Sequence, residues 1–401
     1  MHRTTTWLLG ALATAGLVTT AAVTGMPAAQ AAEVTTSATF NDPAGDSAAQ
    51  SRIRDHVVDL IQGAAEGSDI TVGLYTITDD TVAAELVAAK NRGVHVKVIL
   101  DHASVTVDGG EYQTLANGLG TDRGQSSWVF ACPAGRGCLG TRVLPNDADG
   151  PINHNKFFLF SSTGGASNVV VQTSANMTSV QRTDLFNNAV TIVDSGLYDI
   201  YQTYWADLLK YGTSSSGLSN YYKTPSSGGY KAYFFPRKEA SGSDYNNNAA
   251  TDTVKLILDN VSCSGGTEIR MAANLFTRKE VASKLVSLVN GGCKVYLAFD
   301  GNSGSMGKTV ESIVSGKLTK RVQCYENRSS GNKVGLHSKY FLISGTYDGK
   351  SNQKLLWTGS HNYTYPALRA NDETLLKINN STLYSQFKEN HDYLMSYCEG
   401  S

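Results

Sequence analysis

Apolar residues recur at every second position in two early segments, Ile70-Thr71-Val72-Gly73-Leu74-Tyr75-Thr76-Ile77 and Val94-His95-Val96-Lys97-Val98-Ile99-Leu100-Asp101. That period predicts strands. Between them Val82, Leu86 and Val87 recur at helical spacing behind Asp79, a residue type that caps free N–H groups, and Arg92-Gly93 ends the run. Strand, helix and strand of these lengths make a parallel crossover unit, the building block of an α/β fold. Ahead of it, Ala38-Thr39-Phe40-Asn41 predicts an edge strand, and residues 47–62 a helix with Ile53, Val57, Leu60 and Ile61 on one side.

The second half repeats this plan. Tyr233-Phe234-Phe235 reads as a strand, residues 252–260 as a helix, Glu268-Ile269-Arg270-Met271-Ala272 as a strand, residues 278–290 as a helix and residues 292–300 as a strand. Gly93 to Asp101 and Gly292 to Asp300 span nine residues each, with Gly at the helix end and Asp at the strand end. Such a repeat predicts a duplicated chain. The expected organisation is an N-terminal lobe over 32–211 and a C-terminal lobe over 230–401. Each is a mixed, mostly parallel sheet flanked by helices, and a pseudo-twofold axis relates them. The boundary falls at 212–229, a Gly-, Ser- and Pro-containing stretch with the composition of a surface connection. Residues 103–150 show no clear period and predict an irregular insertion, either a tethered surface loop or a substrate gate.

The duplication carries chemistry with it. In Asn153-His154-Asn155-Lys156-Phe157-Phe158-Leu159-Phe160 a histidine and a lysine two residues apart head an apolar run, so on a strand they share one face. Gly335-Leu336-His337-Ser338-Lys339-Tyr340-Phe341-Leu342-Ile343 repeats the arrangement. Each copy is followed by Ser-x-Asn-x-Thr, at Ser174, Asn176 and Thr178 and again at Ser360, Asn362 and Thr364. The histidines lie 183 residues apart and the asparagines 186, so loop insertions alone separate the copies. A lone histidine on an apolar strand is usually packing; the same polar set in the same order twice is not. His56, His95, His102, His361 and His391 lack such counterparts and read as surface or packing residues.

These residue types suit phosphodiester cleavage. The reaction needs a nucleophile that later leaves, a proton for the departing oxygen, and positive or N–H groups around the phosphoryl oxygens. If the halves pack about a twofold axis, His154 and His337 face one phosphate, with Lys156 and Lys339 supplying charge. Ser174, Asn176, Ser360 and Asn362 then supply donors to the same oxygens. The scheme calls for no metal and no cofactor.

The double motif resembles the phospholipase D superfamily, whose pattern is H-x-K-x4-D followed by G-S-x-N, in bilobed molecules with one active site between similar lobes. The resemblance covers essentially the whole chain beyond its leader. It implies a covalent phosphohistidine on one histidine and a general acid, then base, on the other; similarity to bacterial phospholipases gives the first role to His154 and the second to His337. Where the motif has Asp, this chain has Ser161 and Ser344. The resemblance makes that Asp a structural support, so its loss bears on support, register and substrate class. Family members often hold a histidine by Nδ1 through an acid placed as Glu373 is, thirteen residues after Ser360; the first copy has Asn187 at that spacing. Glu373 is therefore expected to orient one imidazole, and Asn187, or nearby Asp184, the other less strongly.

Composition narrows the setting. The 401 residues, 41% hydrophobic and 17% charged, have room for two domains. Met1-His2-Arg3, the apolar run from Trp7 to Val23 and Ala29-Gln30-Ala31 read as a secretory signal peptide over residues 1–31, which implies a secreted, extracellular protein. Six cysteines, none in a close Cys-x-x-Cys pair, favour disulfides over zinc. Cys132 with Cys138, Cys263 with Cys293 and Cys324 with Cys398 are the favoured pairs, other connectivities being formally open.

Without Arg3, 33 basic and 35 acidic residues leave a formal charge of −2. A near-neutral surface argues against a dedicated binder of nucleic-acid backbone, while a local basic pocket stays open. Three readings follow. The first is a phospholipase D hydrolysing or transphosphatidylating phospholipid at a membrane or micelle surface, with Phe276, Trp357, Tyr363 and Tyr365 near the motifs. The second is a metal-independent secreted endonuclease with a groove of Arg182, Arg278, Lys279 and Arg369. The third is a non-catalytic binding protein of this fold. Two motifs in one chain complete a site without a second copy, so a monomer with no obligate protein partner is expected.

Overall fold

The computed structural model describes residues 1–2, 33–145, 150–327 and 333–400. Apart from Met1 and His2, the expected signal peptide lies outside the described residues. The first sheet is built from β1 (Ser37–Phe40), β2 (Asp69–Leu74), β3 (His95–Leu100), β4 (Trp128–Ala131), β5 (Lys156–Thr163), β6 (Ala166–Thr173) and, after the short β7 (Leu185–Phe186), β8 (Asn188–Val193). Its order is β1-β8-β6-β5-β2-β3-β4, with β1 at an edge. Six helices accompany it: α1 (Ser47–Gln62), α2 (Asp80–Asn91), α3 (Ala103–Thr106), α4 (Tyr112–Leu119), α5 (Ser179–Thr183) and α6 (Ser195–Gly212). Local chemistry sets their ends. Asp46 accepts from the Ala49 amide at 2.8 Å to start α1, and Asp79 caps α2 through the Val82 amide at 3.2 Å. Gly93, at φ +88°, turns the chain from α2 into β3 in a conformation that costs glycine little.

The second half repeats the order. It contains β9 (Ser226–Ser227), β10 (Tyr230–Phe234), α7 (Thr253–Asp259), β11 (Val261–Ser262), β12 (Glu268–Ala273), α8 (Lys279–Asn290), β13 (Lys294–Asp300) and α9 (Lys308–Val314). Then come β14 (Lys320–Cys324), β15 (Glu326–Asn327), β16 (Lys333–Leu336), β17 (Lys339–Tyr347), β18 (Lys350–Gly359), α10 (Tyr365–Arg369), β19 (Thr374–Ile378) and α11 (Ser381–Glu399). The sheet runs β14-β13-β12-β17-β18-β19-β10-β9, and β15, β16 and β7 form a small sheet that joins the two halves of the chain.

Both large sheets are mixed, but the expectation of mostly parallel pairing is corrected. Only β2-β3-β4 and β12-β13-β14 are parallel; the other pairings in the two large sheets are antiparallel. The reason is local: Gly164-Gly165 closes β5 onto β6, and Asp348-Gly349 closes β17 onto β18, each with two consecutive positive φ angles. A two-residue turn of that kind can join only antiparallel neighbours. Residues 103–150, expected to be irregular, carry α3, α4 and β4. These elements are too short to show a period, yet β4 extends the parallel run beside β3.

Side-chain alternation sorts the strands into layers. Ile70, Val72 and Leu74 pack outward with Ile53, Val57, Val82 and Leu86 of α1 and α2. Ile269 and Met271 do the same with Val254, Val281 and Leu285 of α7 and α8. The opposite faces share one core, where Phe157, Leu159 and Ile192 meet Leu342, Leu356 and Leu376 around α6 and α11. Burying both faces of both sheets fuses Glu33–Ser401 into one compact unit. Disulfides join Cys132 to Cys138, Cys263 to Cys293 and Cys324 to Cys398. No described helix is long and apolar enough to cross a membrane.

Candidate active site

His154 and His337 stand just ahead of β5 and β17, each strand lying inside its sheet. A buried aspartate at the end of a crossover strand fixes the chain before each histidine. Asp101 Oδ2 accepts from the Asn153 amide at 2.7 Å, and Asp300 Oδ1 from the Leu336 amide at 2.9 Å. The sequence reading gave these two aspartates no role; the nine-residue repeat that ends on each was the signal.

The halves then exchange partners. His154 Nδ1 lies 2.9 and 3.0 Å from the two carboxylate oxygens of Glu373, which also accepts from Ser360 Oγ at 2.5 Å. His337 Nδ1 lies 3.0 Å from Asn187 Oδ1, which accepts from Ser174 Oγ at 2.9 Å. The main chain crosses in the same way: the His154 amide donates to the Asp372 carbonyl and the His337 amide to the Phe186 carbonyl, both at 2.9 Å. Asp184, weighed beside Asn187, instead accepts from its neighbour Thr183.

Asn187 cannot flip without loss, because its Nδ2 donates to the Gln181 and Leu185 carbonyls at 3.0 and 3.1 Å. Its oxygen therefore faces the ring, so His337 carries its proton on Nδ1 and offers a lone pair on Nε2. Glu373, as an acceptor, selects the same tautomer for His154.

Lys156 Nζ donates to the His154 carbonyl at 2.7 Å and Lys339 Nζ to the His337 carbonyl at 2.5 Å, so each ammonium is folded under its own motif. Burial pushes Lys156 down to about 7, against the pull of Glu373 and Asp101. Lys339 is held well below its usual range by burial and by Lys156. Both histidines are pushed well below theirs by burial and by the two lysines. Glu373 is raised to about 8 by burial, with Lys156 opposing. Each lysine acts on both histidines and on Glu373, and His154 acts on His337. The rings keep a narrow window to solvent, His154 at 8% and His337 at 9% exposure.

Other expected residues fall differently. Asn362 Oδ1 accepts from the Leu275 amide at 3.4 Å, while Asn176 buries an unpartnered Oδ1 beside a cavity of about 20 Å³, room for about one water. Phe276, Trp357 and Tyr363 are wholly buried core, so they do not meet substrate; Tyr365 is half-buried and hydrogen-bonds Glu280. Arg278 is buried against Asp252, and Arg369 on the carbonyls of Arg237, Asn248 and Thr251, which removes both from any groove. Lys279 donates to Asn247, and Arg182 to Ser51. Ser161 and Ser344 lie five positions along β5 and β17 from the lysines, roughly 17 Å away; Ser161 Oγ accepts there from the Asp69 amide at 2.8 Å.

A sequence profile for the cardiolipin synthase, PLD-like domain family matches residues 57–209 and 261–395, one segment for each motif-bearing half. The chain belongs to the phospholipase D superfamily. Members of that superfamily are phosphodiesterases and transferases. Two solved structures share the fold over 90% of the chain. Phosphatidylserine synthase from Haemophilus influenzae is 14% identical with a TM-score of 0.57, the match covering 86% of that protein. Polyphosphate kinase from Porphyromonas gingivalis is 12% identical with a TM-score of 0.53, and the chain spans 50% of its length. No curated protein sequence matches.

Proposed function

We propose that this phospholipase D superfamily chain is a secreted phosphodiesterase that cleaves phospholipids at a membrane or micelle surface and passes the phosphatidyl group to water or an alcohol. The crossed pairing at the histidines carries the reading: each half presents an imidazole whose Nδ1 is committed to the other half, leaving both Nε2 atoms for one phosphate. His154 Nε2 attacks phosphorus while His337 protonates the departing headgroup oxygen. The bond to the headgroup breaks and a phosphohistidine forms. His337, now neutral, takes a proton from the incoming water or alcohol, whose oxygen displaces His154 and restores it. Glu373 accepts the Nδ1 hydrogen bond of the cationic phosphoimidazole and disperses its charge, while the lysines and Asn176 and Asn362 stabilise the phosphoryl oxygens.

A lipid substrate is supported by four of the seven large apolar side chains left exposed among the described residues. Val105 and Val107 follow the carboxyl end of β3, Val180 follows the Asn176 segment, and Leu275 adjoins Asn362, positions next to the motif segments that suit contact with lipid. Export is supported by the leader composition and by three disulfides. In this reading residues 1–31 are removed, lobes 32–211 and 230–401 form the site of a monomer, and 212–229 joins them. Incubation with phosphatidylcholine and, separately, plasmid DNA in EDTA tests it. Choline release, with alkali-stable, acid-labile mass added to His154 and detected after alkaline quenching, is the expected result. Nicking without choline release would make the chain a nuclease; neither product, with no trapped phosphoenzyme, would make it a binding protein.

A further inference from the structure

We propose that Asp372 is a positioning residue for the His154–Glu373 pair, gripped for that purpose by the Cys132–Cys138 loop. Asp372 is wholly buried, and its carboxyl group is received by two backbone amides: Leu139 donates to Oδ2 at 3.0 Å and Gly140 to Oδ1 at 2.7 Å. These donors stand just beyond the second cysteine of the Cys132–Cys138 bridge, so the disulfide helps curl the chain into a concave pair of N–H groups of the kind that seats an anion.

The fit is close. A side chain at Gly137 would place its first carbon 2.7 Å from Asp372 Oδ2, and one at Gly140 would reach within 2.0 Å of the Ala370 carbonyl. Two glycines in one short loop are thus required by the residues around one carboxylate. From the same residue the main chain runs to the chemistry. The Asp372 amide donates to the Ile152 carbonyl at 2.9 Å, its carbonyl accepts from the His154 amide at 2.9 Å, and Glu373 follows in sequence. Asn371 adds an acceptor for the Ile152 amide at 3.3 Å.

The duplicated position shows why the carboxylate is informative. Phe186 occupies it in the other half, and its carbonyl receives the His337 amide at the same 2.9 Å. The backbone bond therefore needs no acid. An acid buried there at the cost of desolvation has a second task, which its side-chain contacts identify as locking the loop of one half to the Glu373 segment of the other. A displacement of Glu373 by a fraction of its 2.9–3.0 Å hydrogen-bond lengths would misaim the His154 ring.

The inference rests on His154 being a reacting residue, so its test includes a readout free of turnover. Asp372→Ala is expected to lower kcat by at least about tenfold with KM changed less than about threefold, and to abolish the downfield proton resonance of His154 Nδ1–H. Gly137→Ala leaves the carboxylate in place but pushes on it, and is expected to move the same two readouts in the same direction by less. Phe186→Leu, at the matching position, should leave the His154 resonance in place. If Asp372→Ala fails to fold, Gly137→Ala decides alone. An unchanged resonance and an unchanged kcat in the folded variant overturn the proposal. A lost resonance in a protein whose wild type never forms a phosphohistidine would sustain the positioning role and remove the phosphodiesterase reading instead.

Discussion

The two histidine environments are built to one backbone plan and differ in chemistry. His154 faces a carboxylate, Glu373, backed by a second acid seated in a disulfide loop; His337 faces an amide, Asn187, backed by a phenylalanine packed edge-on against Tyr397. Both acceptors lie 13 residues beyond a motif serine, and both serines bond them. Duplication has kept hydrogen-bond geometry while letting charge diverge. In the proposed mechanism the difference gives like rings unequal tasks. A carboxyl group at Nδ1 ionises against, and so stabilises, a ring made cationic by phosphorylation, whereas a neutral amide leaves the partner ring a strong acid that gives up its proton readily.

The comparison fails first if the rings do not share one phosphate. His154→Ala and His337→Ala are each expected to lower kcat by about 10⁴-fold or more, since groups that act as a unit fail as a unit. A normal rate in either variant removes the shared site. Glu373→Gln keeps the shape and removes the group that can ionise against a cationic His154, and should cost about 10²–10³-fold in kcat, against about tenfold for Asn187→Ala. Equal losses would mean that the charge difference has no catalytic meaning.

The pH profile sharpens the point. A general acid must be protonated, and burial with Lys339 holds His337 well below its ordinary value, so its active form grows as pH falls. kcat should therefore rise on the way down from neutral pH. Asn187→Asp places an anion at Nδ1, raises that pKa and should shift the limb to higher pH; no shift would exclude His337 as the acid. Stability moves oppositely. Both rings stay neutral when folded but protonate below about pH 6.5 when unfolded, so the unfolded chain binds more protons and these histidines lower stability as pH falls. Denaturant midpoints at pH 7 and pH 5 measure it.

Two smaller effects separate packing from chemistry. Phe186→Ala should cost about 3 kcal/mol of stability, as loss of a buried aromatic does, read from the denaturant midpoint. Ser161→Asp, which restores the motif acid roughly 17 Å along β5 from Lys156, should leave kcat within about twofold. A larger change would give that position a part in the chemistry.

Much of the scaffold was legible because it is written locally. Val82 and Leu86 against Ile70 and Val72 announce a crossover unit by period alone, and Asp79 and Gly93 announce its ends. The hairpin turns were present in the sequence as well, at Gly164-Gly165 and Asp348-Gly349, and reading them would have corrected the expectation of mostly parallel sheets. Arg278 and Arg369 mislead for the opposite reason. A guanidinium suggests a surface groove until the fold supplies Asp252 and a ring of carbonyls to bury it.

The chain by itself determined its duplication, its strand and helix order and the residue types available for phosphoryl chemistry, since each depends on neighbours a few positions apart. Only the tertiary structure decided which acceptor serves which ring and what Asp372 does. Those bonds close over 219, 150 and 233 residues, and no local period records a partner that far along the chain.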